Sequence, residues 1–280
     1  MNKTKVLLIG APRSGTTLLA GLLSNDSKAT PMLPECTYIT QIIQHFYNFL
    51  HYADSQRFAA YAIDEPTLAG MYRGMVDNML ATVQSHFKEI DYSYLILKDP
   101  ELTPLIDLIP YFFGEDSKTV CVVRDPRAVI ASMLEVEQKK KKKLWLEWIK
   151  KPNWHTTNEL ICQVFRERRL ASDFYLYYWR VQESLLYKRQ AVHIVRYEKI
   201  VALDEEEFRL LEEYLGFSIG REGFSKVHFD FDRADLTYSP GYGGAIQATK
   251  TDFREKLTRR QIKKIEAIFA GINTIYKWWE

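Results

Sequence analysis

The residues best equipped for chemistry sit near the start of the chain, in Gly10-Ala-Pro-Arg13-Ser14-Gly15-Thr16-Thr17. The spacing Gly10-x-x-x-x-Gly15 fits a loop whose backbone N–H groups wrap a phosphate at a helix N-terminus. Thr16 and Thr17 add hydroxyls in the first turn of the helix that follows. A nucleotide triphosphatase carries lysine directly after the second glycine, but here Thr16 takes that place and the loop's cation is Arg13. Such a cradle is expected to bind a nucleotide without cleaving a γ-phosphate. A plain tight turn would need the glycines but not the arginine, serine and two threonines.

A second constellation is Arg124-Asp-Pro-Arg-Ala-Val-Ile-Ala-Ser132. Asp125 suits a helix N-cap and Pro126 the first helical position, so a helix starts here. Arg124 then stands at the end of the preceding strand, and Ser132 lies about two turns into the helix. Both can face one anion, although a capped helix with Arg124 in an ion pair would use the same residues. Two anion sites at neighbouring strand ends point to a nucleotide phosphorylated at two places.

These motifs need a scaffold, and the pattern of the chain supplies one. Four short apolar runs, Val6–Ile9, Tyr94–Leu97, Thr119–Val123 and Val192–Val195, lack strict alternation, as strands buried on both faces do. Helical patterns fall between and after them, at Tyr38–Phe49, Leu68–Phe87, Arg166–Lys188, Asp204–Leu215 and Thr258–Trp278. Repeated β-loop-α order predicts an α/β fold, a P-loop-type central parallel sheet with helices on both faces, in a single domain spanning residues 1–280. Ligands of such sheets bind beyond the carboxyl ends of the strands, where both motifs fall. The composition of residues 137–160 predicts an insertion or flap.

Composition excludes several classes. The 280 residues are 46% hydrophobic, enough for a large core, and the net charge of +2 carries no global nucleic-acid signature. Cys36, Cys121 and Cys162 are too few and too scattered for a disulfide framework, which predicts a reducing, cytoplasmic setting. No apolar run approaches the roughly 18 residues of a transmembrane helix, and the first run is too short for a signal peptide. None of the six histidines has metal-ligand spacing, so no metal is expected.

At this point the motifs resemble those of a known family. Pro12-Arg-Ser-Gly-Thr-Thr-Leu18 looks like the 5′-phosphosulfate loop of sulfotransferases, and Arg124 to Ser132 resembles their 3′-phosphate motif, with the same arginine–serine separation. Val195-Arg-Tyr197-Glu198-Lys-Ile-Val201 and Leu257-Thr258-x-x-Gln261-x-x-x-Ile265-Glu266 are similar to the segments that come later in that family. The resemblance implies 3′-phosphoadenosine-5′-phosphosulfate (PAPS) as donor and adenosine 3′,5′-bisphosphate (PAP) as product. It implies that Arg13, Ser14, Gly15, Thr16 and Thr17 hold the 5′ side. Arg124 and Ser132 would hold the 3′-phosphate, with Tyr197 near the adenosine.

The resemblance also bears on catalysis. Cytosolic aryl and steroid sulfotransferases carry a histidine shortly after a strand-end lysine, but this chain reads Leu97-Lys98-Asp99-Pro100-Glu101. Lys-Asp-Pro looks instead like the tyrosylprotein sulfotransferase branch and its bacterial relatives, in which a glutamate after the first helix takes the proton. Leu33-Pro34-Glu35-Cys36 matches that segment, and Glu35 is the acid that fits either alignment register. An alternative for Glu35 is a helix N-terminal carboxylate. Lys98 would offset the charge that gathers on the leaving group, as in phosphoryl transfer, or else be a surface lysine paired with Asp99.

Weaker features complete the reading. The late loop Ser239–Lys250 either closes over the 3′-phosphate or is an exposed turn. Lys139–Lys143 is expected to be a solvated helix end, and Phe174–Trp179 to build core. Tyr38, Phe46 and Tyr47 are candidates for lining an acceptor pocket. The expected function is transfer of a sulfuryl group to an acceptor hydroxyl by in-line displacement, with Glu35 as base and Lys98 and Arg13 as electrostatic stabilisers. The competing classes are a P-loop small-molecule kinase, a catalytically inactive nucleotide-binding module and a scaffold using the lysine run. Acceptor and oligomeric state are not legible, since acceptor pockets are built from variable loops.

Overall fold

The computed structural model describes residues 3–52, 60–61, 64–140, 192–221, 223, 246 and 252–280. The expectations for Cys162, the Arg166–Lys188 helix, Phe174–Trp179 and the loop 239–250 (apart from Ile246) lie outside these residues. The same holds for 137–160 and Lys139–Lys143, except that the backbone of 137–140 continues a helix.

Four strands form one parallel sheet in the order β2-β1-β3-β4. They are β1 (Thr4–Gly10), β2 (Tyr94–Lys98), β3 (Lys118–Val123) and β4 (Val192–Arg196). The apolar runs predicted all four. Alternate side chains enter two separate cores, which explains why the runs do not alternate with polar residues. Leu7, Ile9, Leu95, Leu97, Cys121 and Val123 face one core. Val6, Leu8, Ile96, Val120, Val122 and Val195 face the other. Burying both faces removes any reason to place a polar residue mid-strand.

The first core is closed by α2 (Thr37–Tyr52), α3 (Glu65–His86), a 3-10 helix (Pro100–Leu108), α4 (Ile109–Phe113) and α5 (Pro126–Lys140). The second is closed by α1 (Thr16–Leu23), α6 (Tyr197–Val201) and α7 (Glu205–Leu215). Three short helices complete the first layer: α8 (Phe253–Lys256), α9 (Arg259–Ile268) and α10 (Ala270–Tyr276). The sequence predicts one helix from Thr258 to Trp278, whereas the chain breaks at Phe269 (φ −95°, ψ 9°). Phe269 stays buried, and the bend lets Ile272 and Tyr276 enter the same core as Ile265. Apolar burial of about 2 kcal/mol per large side chain outweighs one interrupted helical turn.

One element was not foreseen. Residues 29–35 run beside the free edge of β2, bridging it at Ala29–Tyr94 and Glu35–Lys98. Thr30 N–H donates to the Tyr94 carbonyl at 2.9 Å, and its hydroxyl accepts from Ile96 N–H at 3.1 Å. Cys36 N–H donates to the Lys98 carbonyl at 2.9 Å. Pro31 and Pro34 lack the N–H that a regular ladder needs, so the pairing is made at the two ends only. This edge segment delivers Glu35 to the tip of β2.

Candidate active site

The loop after β1 is shaped by what its glycines permit. Gly10 has φ 144°, and a Cβ there would lie 2.5 Å from the Val122 carbonyl oxygen. Gly15, the N-cap of α1, has φ 105°, and its Cβ would lie 2.3 Å from Cδ2 of Tyr197. Both are conformations that side chains rarely adopt. The Tyr197 ring therefore packs directly against the loop at the point where the first-turn amides of α1 emerge.

Arg13 adopts the left-handed conformation at φ 71°, a local cost of about 1–2 kcal/mol that the surrounding contacts must offset. Its carbonyl accepts from Nη1 of Arg124 at 2.9 Å, and its Nε donates to Oγ of Ser132 at 3.1 Å. The Arg124 guanidinium also lies over the Tyr197 ring, 4.1 Å from the centroid. Two motifs read separately from the sequence are thus stitched together by Arg13, Arg124, Ser132 and Tyr197. Thr16 is buried at the first position of α1, and the buried Oγ of Ser14 has no hydrogen-bond partner. An orphaned hydroxyl inside a loop that excludes a Cβ at Gly10 and Gly15 suits a ligand with acceptor oxygens.

Lys98, at the end of β2, is buried. Its Nζ donates to Oγ1 of Thr17 at 2.9 Å and to Oε1 of Glu35 at 3.2 Å. The surface-lysine alternative is therefore wrong, and the cation links the start of α1, just after the glycine loop, to Glu35. Glu35 remains 48% exposed at its side chain, open to an incoming group. The 3-10 helix is pinned to the same corner. Asp99 N–H donates to the Leu8 carbonyl at 3.1 Å. The Thr103 hydroxyl accepts from Gly10 N–H at 2.8 Å and lies within donating reach of the Gly10 and Pro100 carbonyls.

The electrostatics of this corner are unusual. Burial pushes the Asp99 carboxyl up to about 6, helped by the Glu35 charge and opposed in part by Thr40, the Glu101 amide and Lys98. Glu101 is pushed up to about 7, by burial first and then by Asp99 and Glu35. Burial, with Asp99 and Glu35 beside it, drives the Cys36 thiol far above its usual range, so it stays a neutral thiol. The acidic neighbours Asp99 and Glu101 were missed as site residues. Their signal was the sequence itself, since a Lys-Asp-Pro-Glu run at a strand tip packs several charges into one turn.

Arg127 was also passed over. It is buried, forked onto both Asp125 carboxylate oxygens, and bonded to Glu266 at 2.8 Å and to the Trp278 carbonyl at 3.0 Å. Phe253 and Trp279 each lie 4.6 Å from its guanidinium carbon, ring centroid to carbon. It ties α5, which carries Ser132, to the C-terminal helices. Apart from Asp125, its partners are more than a hundred residues away in sequence, so spacing could not announce them.

The glycine loop, the second cationic motif on the adjacent strand tip and a lysine–glutamate pair beside them stand together at the carboxyl end of a parallel α/β sheet. The family profile described as the sulfotransferase family matches residues 5–220, and the chain belongs to that family. The fold agrees. The sulfotransferase domain of the olefin synthase of Synechococcus PCC 7002 aligns at 15% identity, covering 96% of this chain and 94% of that one, with a TM-score of 0.50. The sulfotransferase domain of the curacin biosynthetic pathway aligns at 15% identity over 98% of each chain, TM-score 0.50. Sulfotransferase STF9 from Mycobacterium avium aligns at 14% identity, covering 98% of this chain and 76% of that one, TM-score 0.51. At such identity the likeness concerns the fold. No curated protein matches the sequence. Among the described residues no helix is long and apolar enough to cross a membrane.

Proposed function

We propose that the protein transfers a sulfuryl group from PAPS to an acceptor hydroxyl, with Glu35 as base. The observation that carries this is the bridge made by Lys98, which touches the phosphate loop through Thr17 and the exposed glutamate through Oε1. One cation then stands between the group that leaves and the group that attacks.

In this scheme the loop amides, the Ser14 hydroxyl, Thr16 and Thr17 hold the 5′ side of the donor, and Arg124 and Ser132 hold the 3′-phosphate. Tyr197 fixes the Arg124 guanidinium from below and sets one wall of the adenosine site. Arg13, tethered to Ser132, adds positive charge next to the loop. The acceptor O–H bond breaks as its oxygen bonds to sulfur, and the proton goes to Glu35. The bond from sulfur to the bridging oxygen breaks, and PAP departs with its charge offset by Lys98 and the loop. Fixed dipoles and cations do this without rearranging during the reaction, which is why they act strongly in a partly buried site.

Calorimetry with PAP tests the donor half, and thermal shift with PAP against ATP plus magnesium separates it from a kinase. PAP should bind and ATP plus magnesium should not compete. Labelled PAPS with a mixed acceptor extract should then yield a labelled product, which mass analysis identifies. Binding of PAP without any product would leave only an inactive nucleotide module, and absence of PAP binding would overturn the assignment.

A further inference from the structure

Strand β2 leaves the sheet before β1 does, and one hydroxyl fills the gap. The last β1–β2 pair is Leu8–Lys98, while β1 stays paired with β3 up to Gly10–Val122. Asp99 N–H still donates to the Leu8 carbonyl at 3.1 Å. One rung further, a continuing parallel ladder would join Gly10 N–H to the Asp99 carbonyl and Glu101 N–H to the Gly10 carbonyl. The chain turns into the 3-10 helix at Pro100 instead, and Glu101 N–H donates to Oδ1 of Asp99 at 2.9 Å. Gly10 N–H goes to the Thr103 hydroxyl at 2.8 Å. That hydroxyl lies 3.1 Å from the Gly10 carbonyl and 2.7 Å from the Pro100 carbonyl, so its own proton has an acceptor either way. A side chain stands in for the missing rung.

Gly10 is where β1 becomes the loop. A Cβ there would lie 2.5 Å from the Val122 carbonyl oxygen and 2.8 Å from Oγ of Ser14. Gly10 therefore packs against β3 and Ser14, and Thr103 holds it on the β2 side. Ser14, whose buried hydroxyl has no hydrogen-bond partner, takes its place from Gly10. Thr103 is fully buried, with Leu102 and Leu105 of the same helix in the first core. Water is excluded, so the Gly10 N–H would have no substitute for the hydroxyl. The tip of β2 thus meets the neighbouring segment twice, through Lys98 on Thr17 at the start of α1 and through Thr103 on Gly10.

We infer that Thr103 is a positioning residue that sets where the loop after β1 stands relative to Lys98 and Glu35. It acts through Gly10 and touches neither donor nor acceptor. The inference rests on the donor site proposed above.

The test compares Thr103→Val, which keeps the shape and loses the hydroxyl, with Thr103→Ser, which keeps the hydroxyl. PAP affinity is measured by calorimetry below the melting temperature of each protein, and exchange of the Gly10 amide by NMR. In Thr103→Val, PAP should bind about tenfold more weakly and the Gly10 amide should exchange faster, as expected for a buried donor left unpaired. Thr103→Ser should stay near the unaltered protein in both. Should Thr103→Val fail to fold, Thr103→Cys, whose thiol is a weak acceptor, takes its place in the comparison. A variant that melts earlier yet binds PAP like the unaltered protein shows a purely structural role and overturns the inference. Equal losses in Thr103→Val and Thr103→Ser assign the effect to the methyl group and overturn it too. If the unaltered protein itself does not bind PAP, the donor assignment fails and takes this inference with it.

Discussion

Nη1 of Arg124 donates to the carbonyl of Arg13 at 2.9 Å, so the cation of the second motif holds the backbone of the first in its left-handed turn. The two segments are mechanically one unit. Losing one should loosen the other.

Arg124→Ala removes a charge-assisted bond and the cation stacked on Tyr197. PAP affinity should fall by roughly 2–3 kcal/mol, about a hundredfold, with a smaller loss of thermal stability. Arg124→Lys should recover part of the charge but not the fork, leaving an intermediate affinity in calorimetry.

Gly15→Ala meets two obstacles, a contact of 2.3 Å with Tyr197 and φ of 105°. A loss of about 1–3 kcal/mol is expected from the backbone alone. Combining it with Tyr197→Ala relieves the clash and leaves the strain. Chemical denaturation of the three variants should therefore show partial rescue, and full rescue would mean that sterics alone matter.

Glu35→Gln should lower kcat by roughly a hundredfold or more while PAP affinity barely changes. Lys98→Met should also lower kcat, and the double variant should be little worse than the slower single one, because the two act as a pair. Additive losses in kinetic assays would separate their roles.

Arg127→Met leaves Asp125 and Glu266 facing a site built for a guanidinium. Removing one member of such a buried network costs about 3–5 kcal/mol. The melting temperature should drop, and proteolysis should attack the helices after residue 252 first.

Asp99 and Glu101 also make stability depend on pH. Their folded values, about 6 and about 7, lie above those of unfolded carboxyls, so the native state holds more protons between. That contribution is complete below about pH 4 and fades as pH rises through 6 and 7. Asp99→Asn should remove a loss on the order of 1 kcal/mol between pH 5 and pH 8. Urea unfolding at both pH values checks it, and equal pH dependence in both proteins would contradict the burial of Asp99.

Much of this was legible beforehand because it is local. Apolar runs of four or five residues demand burial on both faces, and Gly10, Gly15, Asp125 and Pro126 announce turns and helix starts through their own conformational limits. Hence the parallel sheet, the turn after β1 and the helix that starts at Pro126 could be read in order along the chain. Other features depended on residues far apart. Nothing in the spacing of Lys98, Thr17 and Glu35 says that one ammonium joins all three; the edge segment against β2 decides it. The bend at Phe269 and the enclosure of Arg127 likewise follow from which surfaces meet. Propensity and turn geometry act within a few residues and are written in the sequence. Desolvation and charge coupling act through space, so the protonation of the β2 corner was settled only when the chain had folded.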